Sequence, residues 1–171
     1  MREQDVIDFY RTLEARDVPV WIDGGWNVDA LLGKQTRPHK DLDIAIQQKH
    51  VQELRDLLEE QGYKEIKLEV SRPHNFVLGD GRGREIDVHV IVLDYQGNGI
   101  YGPPENCEMY TAASLTGVGT IGGCPVRCIS PEWAIKFHTG YELKDKDFHD
   151  VPALCGKFGI DLPPAFLRWV K

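Results

Sequence analysis

Asp41-Leu42-Asp43-Ile44-Ala45-Ile46 and Glu85-Ile86-Asp87-Val88-His89-Val90 both place carboxylates and apolar residues at alternate positions. Side chains of an extended strand point to opposite faces with a period of two, so Leu42, Ile44 and Ile46 enter a core while Asp41 and Asp43 share the other face. In the second segment Ile86, Val88, Val90 and Val92 take the apolar face and Glu85, Asp87 and His89 the polar one. If the two strands are neighbours, Asp41, Asp43 and Asp87 converge on one small volume. Carboxylates crowded in this way push one another's pKa values upward, which makes physical sense chiefly when cations sit between them. Hard oxygen ligands at that density suit Mg²⁺, which binds through carboxylates, waters and substrate phosphates. The competing explanation is a solvated strand end whose charges discourage sheet-to-sheet pairing.

Upstream lies Trp21-Ile22-Asp23-Gly24-Gly25-Trp26-Asn27-Val28-Asp29. A short apolar strand runs into two glycines, and Val28, Leu31 and Leu32 then fall at helical spacing before Gly33 stops the helix. A strand, a Gly-Gly turn and a helix N-terminus form a place where backbone N–H groups meet phosphate oxygens at close range. Taken alone, paired glycines also read as a tight turn needing positive φ. The ordered set, phosphate turn followed by carboxylate strand, is the stronger signal.

These residues resemble a known family. Gly24-Gly25-Trp26 followed by Asp29, then Arg37 and His39 leading into Asp41-x-Asp43, with Asp87 on a later strand, resembles the antibiotic nucleotidyltransferases of the polymerase-β-like superfamily. The run Trp-x-Asp-Gly-Gly-Trp-x-Val-Asp is most like the short lincosamide nucleotidyltransferases. The aminoglycoside 2″-nucleotidyltransferases are similar but usually lack the acid before the glycines. Phe137-His138-Thr139-Gly140-Tyr141-Glu142-Leu143 and Asp147-Phe148-His149-Asp150 look like the family's C-terminal helices, so the likeness covers about residues 5 to 155.

The resemblance implies an α+β fold: a minimal nucleotidyltransferase domain over residues 1–171, with a mixed β-sheet flanked by helices. Its core lies at about 1–93, and a flap, a hairpin and short C-terminal helices follow at about 94–171. It implies that Asp41, Asp43 and Asp87 are catalytic and hold Mg²⁺, two ions being expected, with Asp87 also accepting the proton of the attacking hydroxyl. Gly24, Gly25 and the backbone at Trp26 would cradle the triphosphate of an NTP, with ATP the expected co-substrate, and Lys136 or Lys146 would neutralise it. The wider superfamily places Ser where Trp26 stands, which leaves the backbone and Arg37 to substitute for a hydroxyl contact. The implied reaction moves a nucleoside monophosphate, AMP foremost, to a hydroxyl of a small-molecule acceptor, a lincosamide or aminoglycoside, and releases pyrophosphate. Such transfer asks mainly for positioning and charge stabilisation. Other readings are a same-fold enzyme acting on a metabolite or protein hydroxyl, and a catalytically silent binding module. Mutually repelling acids retained beside a double glycine speak against the silent module.

Composition fits one compact enzyme of 171 residues. The charged start of the chain and the lack of a long apolar stretch lead to the expectation of a cytoplasmic protein that does not engage a membrane. The four cysteines, at 107, 124, 128 and 155, are then expected to be reduced. Cys124-x-x-x-Cys128 reads as part of a hairpin rather than a zinc site. A net charge of −7 disfavours nucleic acid as a partner. Relatives of this kind are often homodimers, and nothing in the sequence marks an interface.

Periodicity predicts helices around Val6–Leu13 and Val51–Leu58, and strands at about 19–23, 41–47, 64–70, 74–79 and 84–93, the last two joined by Asp80-Gly81-Arg82-Gly83. The Gly-, Pro- and Asn-rich stretch from Asp94 to Leu115 reads equally as an acceptor-binding flap or a surface excursion. Gly119 to Ile129 predicts a further hairpin. Ser130-Pro131 opens a helix on which Trp133, Phe137 and Tyr141 share a face. Trp21 and Trp26 suit the core more than a stacking role. His39 and His89 are poor Mg²⁺ ligands and suit hydrogen bonding near the site or packing. Lys136 has Glu132 as an equally good helical partner. Asp29 reads either as orienting Arg37 or the metal waters or as a helix-surface acid, and Asp147 and Asp150 either as site residues or as caps of the last helix.

Overall fold

Alternation of apolar and acidic residues sets the middle of the sheet. In the computed structural model, which describes residues 1–69, 71–103, 105, 109–139 and 141–167, the chain runs α1 (Glu3–Glu14), β1 (Val20–Asp23), α2 (Gly24–Leu32), β2 (Asp41–Gln47), α3 (Val51–Glu60), β3 (Lys64–Ile66), β4 (Asn75–Gly79), β5 (Glu85–Leu93), β6 (Gly99–Tyr101), β7 (Met109–Tyr110), β8 (Gly117–Ile121), β9 (Cys124–Cys128), α4 (Pro131–Phe137), α5 (Asp145–Phe158) and α6 (Pro164–Leu167). The strands described form one mixed sheet in the order β3-β4-β5-β2-β1-β9-β8, with β6 added to β5 and β7 to β6. Strand β2 lies antiparallel to β1 and parallel to β5. Leu42, Ile44, Ile46, Ile86 and Val88 are fully buried, as their alternation requires.

Helices cover the sheet through their apolar stripes. Val6, Ile7, Phe9, Tyr10 and Leu13 of α1 and Leu54, Leu57 and Leu58 of α3 are buried, and one hydrophobic core reaches from Val6 to Phe166. Helix α2 ends at Gly33, which turns at φ +74° and donates its N–H to the Ala30 and Asp29 carbonyls. Helix α2 also packs on β8 where Gly119 offers no side chain. A Cβ at that position would stand 2.5 Å from the Ala30 carbonyl. Gly119→Ala is therefore expected to cost about 1–3 kcal/mol by overpacking, read as a fall of several degrees in a thermal melt.

Three expectations need correction. The strand predicted at 64–70 stops at Ile66. The Ser71 hydroxyl accepts the Leu68 N–H, the Ser71 N–H bonds back to the Leu68 carbonyl, and Leu68 stays exposed, so a turn replaces the ladder. Trp133 and Phe137 do share a face of α4, with ring centroids 5.8 Å apart, but the helix ends at Phe137 and Tyr141 lies beyond it. There the Thr139 hydroxyl bonds the Lys136 carbonyl, and the Tyr141 hydroxyl donates to Asp147. The stretch from Asp94 to Leu115 is not all irregular, because β6 and β7 extend the sheet from β5. Residues 104 and 106–108, with Cys107 among them, lie outside the described residues, as does Gly140 of the C-terminal motif.

Cys124 and Cys128 are free and buried at the two ends of β9, in the predicted hairpin. Asp147 accepts the Lys144 N–H at the start of α5 and so caps it, while Asp150 makes other contacts. No helix among the described residues is long and apolar enough to cross a membrane.

Candidate active site

Pairing of β1, β2 and β5 puts Asp23, Asp43 and Asp87 side by side on adjacent strands. Asp43, Asp87 and His89 each offer a ligand atom, all within 4.8 Å of one another, and no other such group occurs among the described residues. Asp41 is not in this cluster. It stands exposed at the start of β2, opposite Glu85, although its charge still acts on Asp43 and Asp87. The Asn75 amide donates to Asp87 Oδ1 at 2.8 Å and fixes that carboxylate.

Burial, then repulsion from Asp23 and Asp41, push the Asp43 carboxyl up to about 7. Burial also raises Asp87. Burial would raise Asp23 too, but His89, the Gly24 N–H and the Tyr110 hydroxyl favour its charged form and hold it below the usual carboxylate range. Burial opposes a charge on His89, yet Asp23, Asp87 and Asp43 together raise its pKa.

Asp23 is a site residue that the sequence reading did not single out. Its Oδ1 accepts the Gly24 N–H at 2.8 Å, and its Oδ2 accepts the Tyr110 hydroxyl at 2.8 Å. The one Tyr110 proton being used there, His89 Nδ1–H donates to the Tyr110 oxygen, 2.6 Å away. His89 is thus a hydrogen-bonding neighbour of the carboxylates. Tyr110 comes from β7, in the stretch whose role the sequence left open.

Gly24 turns at φ +57°, and any Cβ there would overlap the Asp43 carboxylate. A Cβ on Gly25 would overlap the His39 ring and come within 2.8 Å of Arg37 Nη2. Asp23 takes the Gly24 N–H, and the N–H groups that follow it in the first turn of α2 have no intrahelical acceptor, so they are the ones that can meet an anion. Trp26 is buried, with its indole 4.7 Å from the His39 ring, so only its backbone can serve that turn. Trp21 is likewise in the core and donates to the Leu115 carbonyl.

The carboxylates of Asp23 and Asp43 open onto a cavity of about 610 Å³ that Gly24 and His89 also line. Lys136 and Lys146 also line it, with Tyr101, Tyr110, Phe137 and Tyr141 as aromatic wall. Lys136 Nζ sits 4.1 Å above the Trp133 ring, and among the described residues it makes no ion pair with Glu132. Arg37 does not line this cavity. Its guanidinium is paired with Asp150 and His39 instead.

A mixed sheet that sets carboxylates of neighbouring strands beside a glycine turn and a helix start defines a nucleotidyltransferase fold. Solved structures of that class superpose on it. Residues 5–154 match the aminoglycoside-2''-adenylyltransferase family, and the chain belongs to it, as an enzyme that transfers nucleotidyl groups. A lincosamide resistance protein of Staphylococcus haemolyticus is 32% identical over 153 residues, 89% of this chain and 93% of that protein. A 2''-aminoglycoside nucleotidyltransferase of Escherichia coli is 41% identical over 46 residues, 27% of this chain and 26% of that protein. The lincomycin-bound crystal structure of the lincosamide antibiotic adenylyltransferase LnuA aligns with a TM-score of 0.77 and 31% identity, covering 90% of this chain and 96% of that one. ANT(2'')-Ia in complex with adenylyl-2''-tobramycin shares the fold, with a TM-score of 0.69 and 23% identity over 92% and 89% of the two chains.

Proposed function

We propose that this protein transfers AMP from ATP to a hydroxyl of an antibiotic, a lincosamide first and an aminoglycoside second, and releases pyrophosphate. The observation that carries the reading is the pairing of Asp43 with Asp87 across β2 and β5, with Asp43 against Gly24 and facing the lysine-lined cavity. In sequence the match to the lincosamide resistance protein runs along most of both chains, whereas that to the 2''-aminoglycoside nucleotidyltransferase spans a short segment, which supports this order of acceptors.

Hard carboxylate oxygens that raise one another's pKa fit a divalent cation, and Asp43 and Asp87, with Asp41 at the rim, would hold Mg²⁺. Bound there, Mg²⁺ supplies positive charge to the phosphates and the departing pyrophosphate. Gly24, bare of a side chain, lets the triphosphate approach, Gly25 and the Trp26 backbone present N–H groups to it, and Lys136 and Lys146 neutralise it from the facing wall. Asp87, oriented by Asn75, takes the proton of the attacking hydroxyl. Tyr101, Tyr110 and Phe137 offer flat apolar faces to the sugar rings of an acceptor. Localisation in the cytoplasm would place the enzyme with its ATP.

Lincomycin and a set of aminoglycosides, each incubated with the four NTPs, give the test. The expected product is a drug heavier by one AMP, formed only with Mg²⁺ and matched by pyrophosphate. Asp87→Asn is expected to lower kcat more than nucleotide affinity. Absence of any adduct across the antibiotics would overturn the drug assignment and direct the search to metabolite or protein hydroxyls.

A further inference from the structure

We propose that Arg37 and Asp150 are positioning residues: they form a clamp, anchored in α5, that sets the Gly24-Gly25 turn for the nucleotide without touching it. The inference rests on the nucleotide site proposed above. It also moves Arg37 from the phosphate contact expected of it to a place behind the turn.

Arg37 Nε lies 3.0 and 3.1 Å from the two oxygens of Asp150, and its Nη2 donates to Oδ2 at 2.6 Å. Such a fork is both directional and strong. Nη1 donates to His39 Nδ1 at 3.1 Å. A guanidinium can only donate, so His39 carries its proton on Nε2, which forms a short hydrogen bond to Asp29 Oδ2. Asp29 Oδ1 in turn accepts the N–H and the hydroxyl of Thr36, at 2.9 and 2.6 Å. The chain Asp150–Arg37–His39–Asp29 therefore ties α5 to α2 through the loop between α2 and β2.

Asp29, His39 and Asp150 are 2%, 8% and 0% exposed, so these bonds form where water does not compete for them. The network also lies flush against the turn. Gly25 has no Cβ, and the space one would fill is taken by the His39 ring and Arg37 Nη2. The guanidinium and the imidazole thus pack directly against the backbone of the second helical residue. None of the four lines the cavity that holds Asp43, Lys136 and Lys146. Their influence on a nucleotide passes through Gly25.

The test uses Arg37→Ala and Asp150→Asn in the full chain, with ATP and Mg²⁺ binding by calorimetry and steady-state kinetics at saturating acceptor. Both variants are expected to raise the Kd and KM for ATP on the order of 10- to 100-fold, the scale of a misplaced binding group. The acceptor KM is expected to stay within about twofold, as for sites that share no partner. Millimolar ethylguanidinium should restore ATP affinity to Arg37→Ala but not to Asp150→Asn, and ethylammonium at equal ionic strength should restore neither. If Arg37→Ala does not fold, the near-isosteric Asp150→Asn decides. Unchanged ATP affinity in a folded variant overturns the clamp, as does a loss of both substrates in proportion to the folded fraction by circular dichroism. Wild type that binds ATP while the variants match it overturns the inference alone. Wild type that binds no ATP overturns the nucleotide site and the clamp together.

Discussion

Asp43→Asn is expected to abolish nucleotidyl transfer and, at the same time, to raise the melting temperature of the metal-free protein at pH 8. The carboxyl of Asp43 is raised from 3.8 to about 7 by burial and by Asp23 and Asp41, with Asp87 adding repulsion and His89 opposing it. A folded-state pKa above the unfolded one means that the fold prefers the protonated acid. The stability tied to this group is complete below about pH 4 and is lost as pH rises through about 7. Asn copies the protonated acid at every pH, so wild type and variant should melt together near pH 4 and diverge towards pH 8. Allowing for partial exposure, the gain is on the order of 2 kcal/mol, or roughly 5 °C for a chain of this size. Added Mg²⁺ should stabilise wild type more than the variant, which lacks one of the carboxylates proposed to bind it. Loss of turnover should reach roughly a thousandfold, as for removal of a central electrostatic group. A variant no more stable at pH 8, or one that still releases pyrophosphate at the wild-type rate, would refute the site.

Gly24→Ala has the second largest expected effect. A left-handed backbone costs a residue with a Cβ about 1–2 kcal/mol, and here the new carbon would also overlap the Asp43 carboxylate. Either the turn or the aspartate must move, and a displacement near 1 Å costs on the order of 100-fold in kcat/KM. Gly33→Ala separates the two causes. Gly33 has a similar φ of +74°, but its nearest neighbour to a Cβ is Thr120 Oγ1, at 3.6 Å. That variant should melt earlier and still turn over at the wild-type rate. Equal activity losses in the two variants would mean that backbone strain, not contact with Asp43, explains the effect.

Much of the sheet centre is legible in the sequence because its strands alternate cleanly. Seven residues of β2 and nine of β5 give enough repeats to show which side chains are buried. Gly33 and the Asp80–Gly83 turn are equally plain, since each breaks a periodic run. Asp23 is harder to see. Strand β1 has only four residues, and the importance of its last one depends on the register with β2, which no local pattern reveals. The Tyr110 partner of Asp23 is 87 positions away, and the Asp150 partner of Arg37 is 113 positions away. Side chains joined over such distances carry no spacing signal. Tyr141 falls off the helix for a local reason: helical spacing continues through Thr139 in the sequence, but the Thr139 hydroxyl donates to the Lys136 carbonyl just after α4 ends at Phe137.

The ring of Tyr110 forms part of the wall proposed to face the acceptor, while its hydroxyl is bonded to Asp23. Sequence changes in the stretch that supplies it are expected to be tolerated where they keep this bond and the pairing of β6 and β7 with the sheet. Selection for a different acceptor should accordingly fall on Met109 before Tyr110, whose loss would also remove the hydrogen bond to Asp23 beside the proposed metal site.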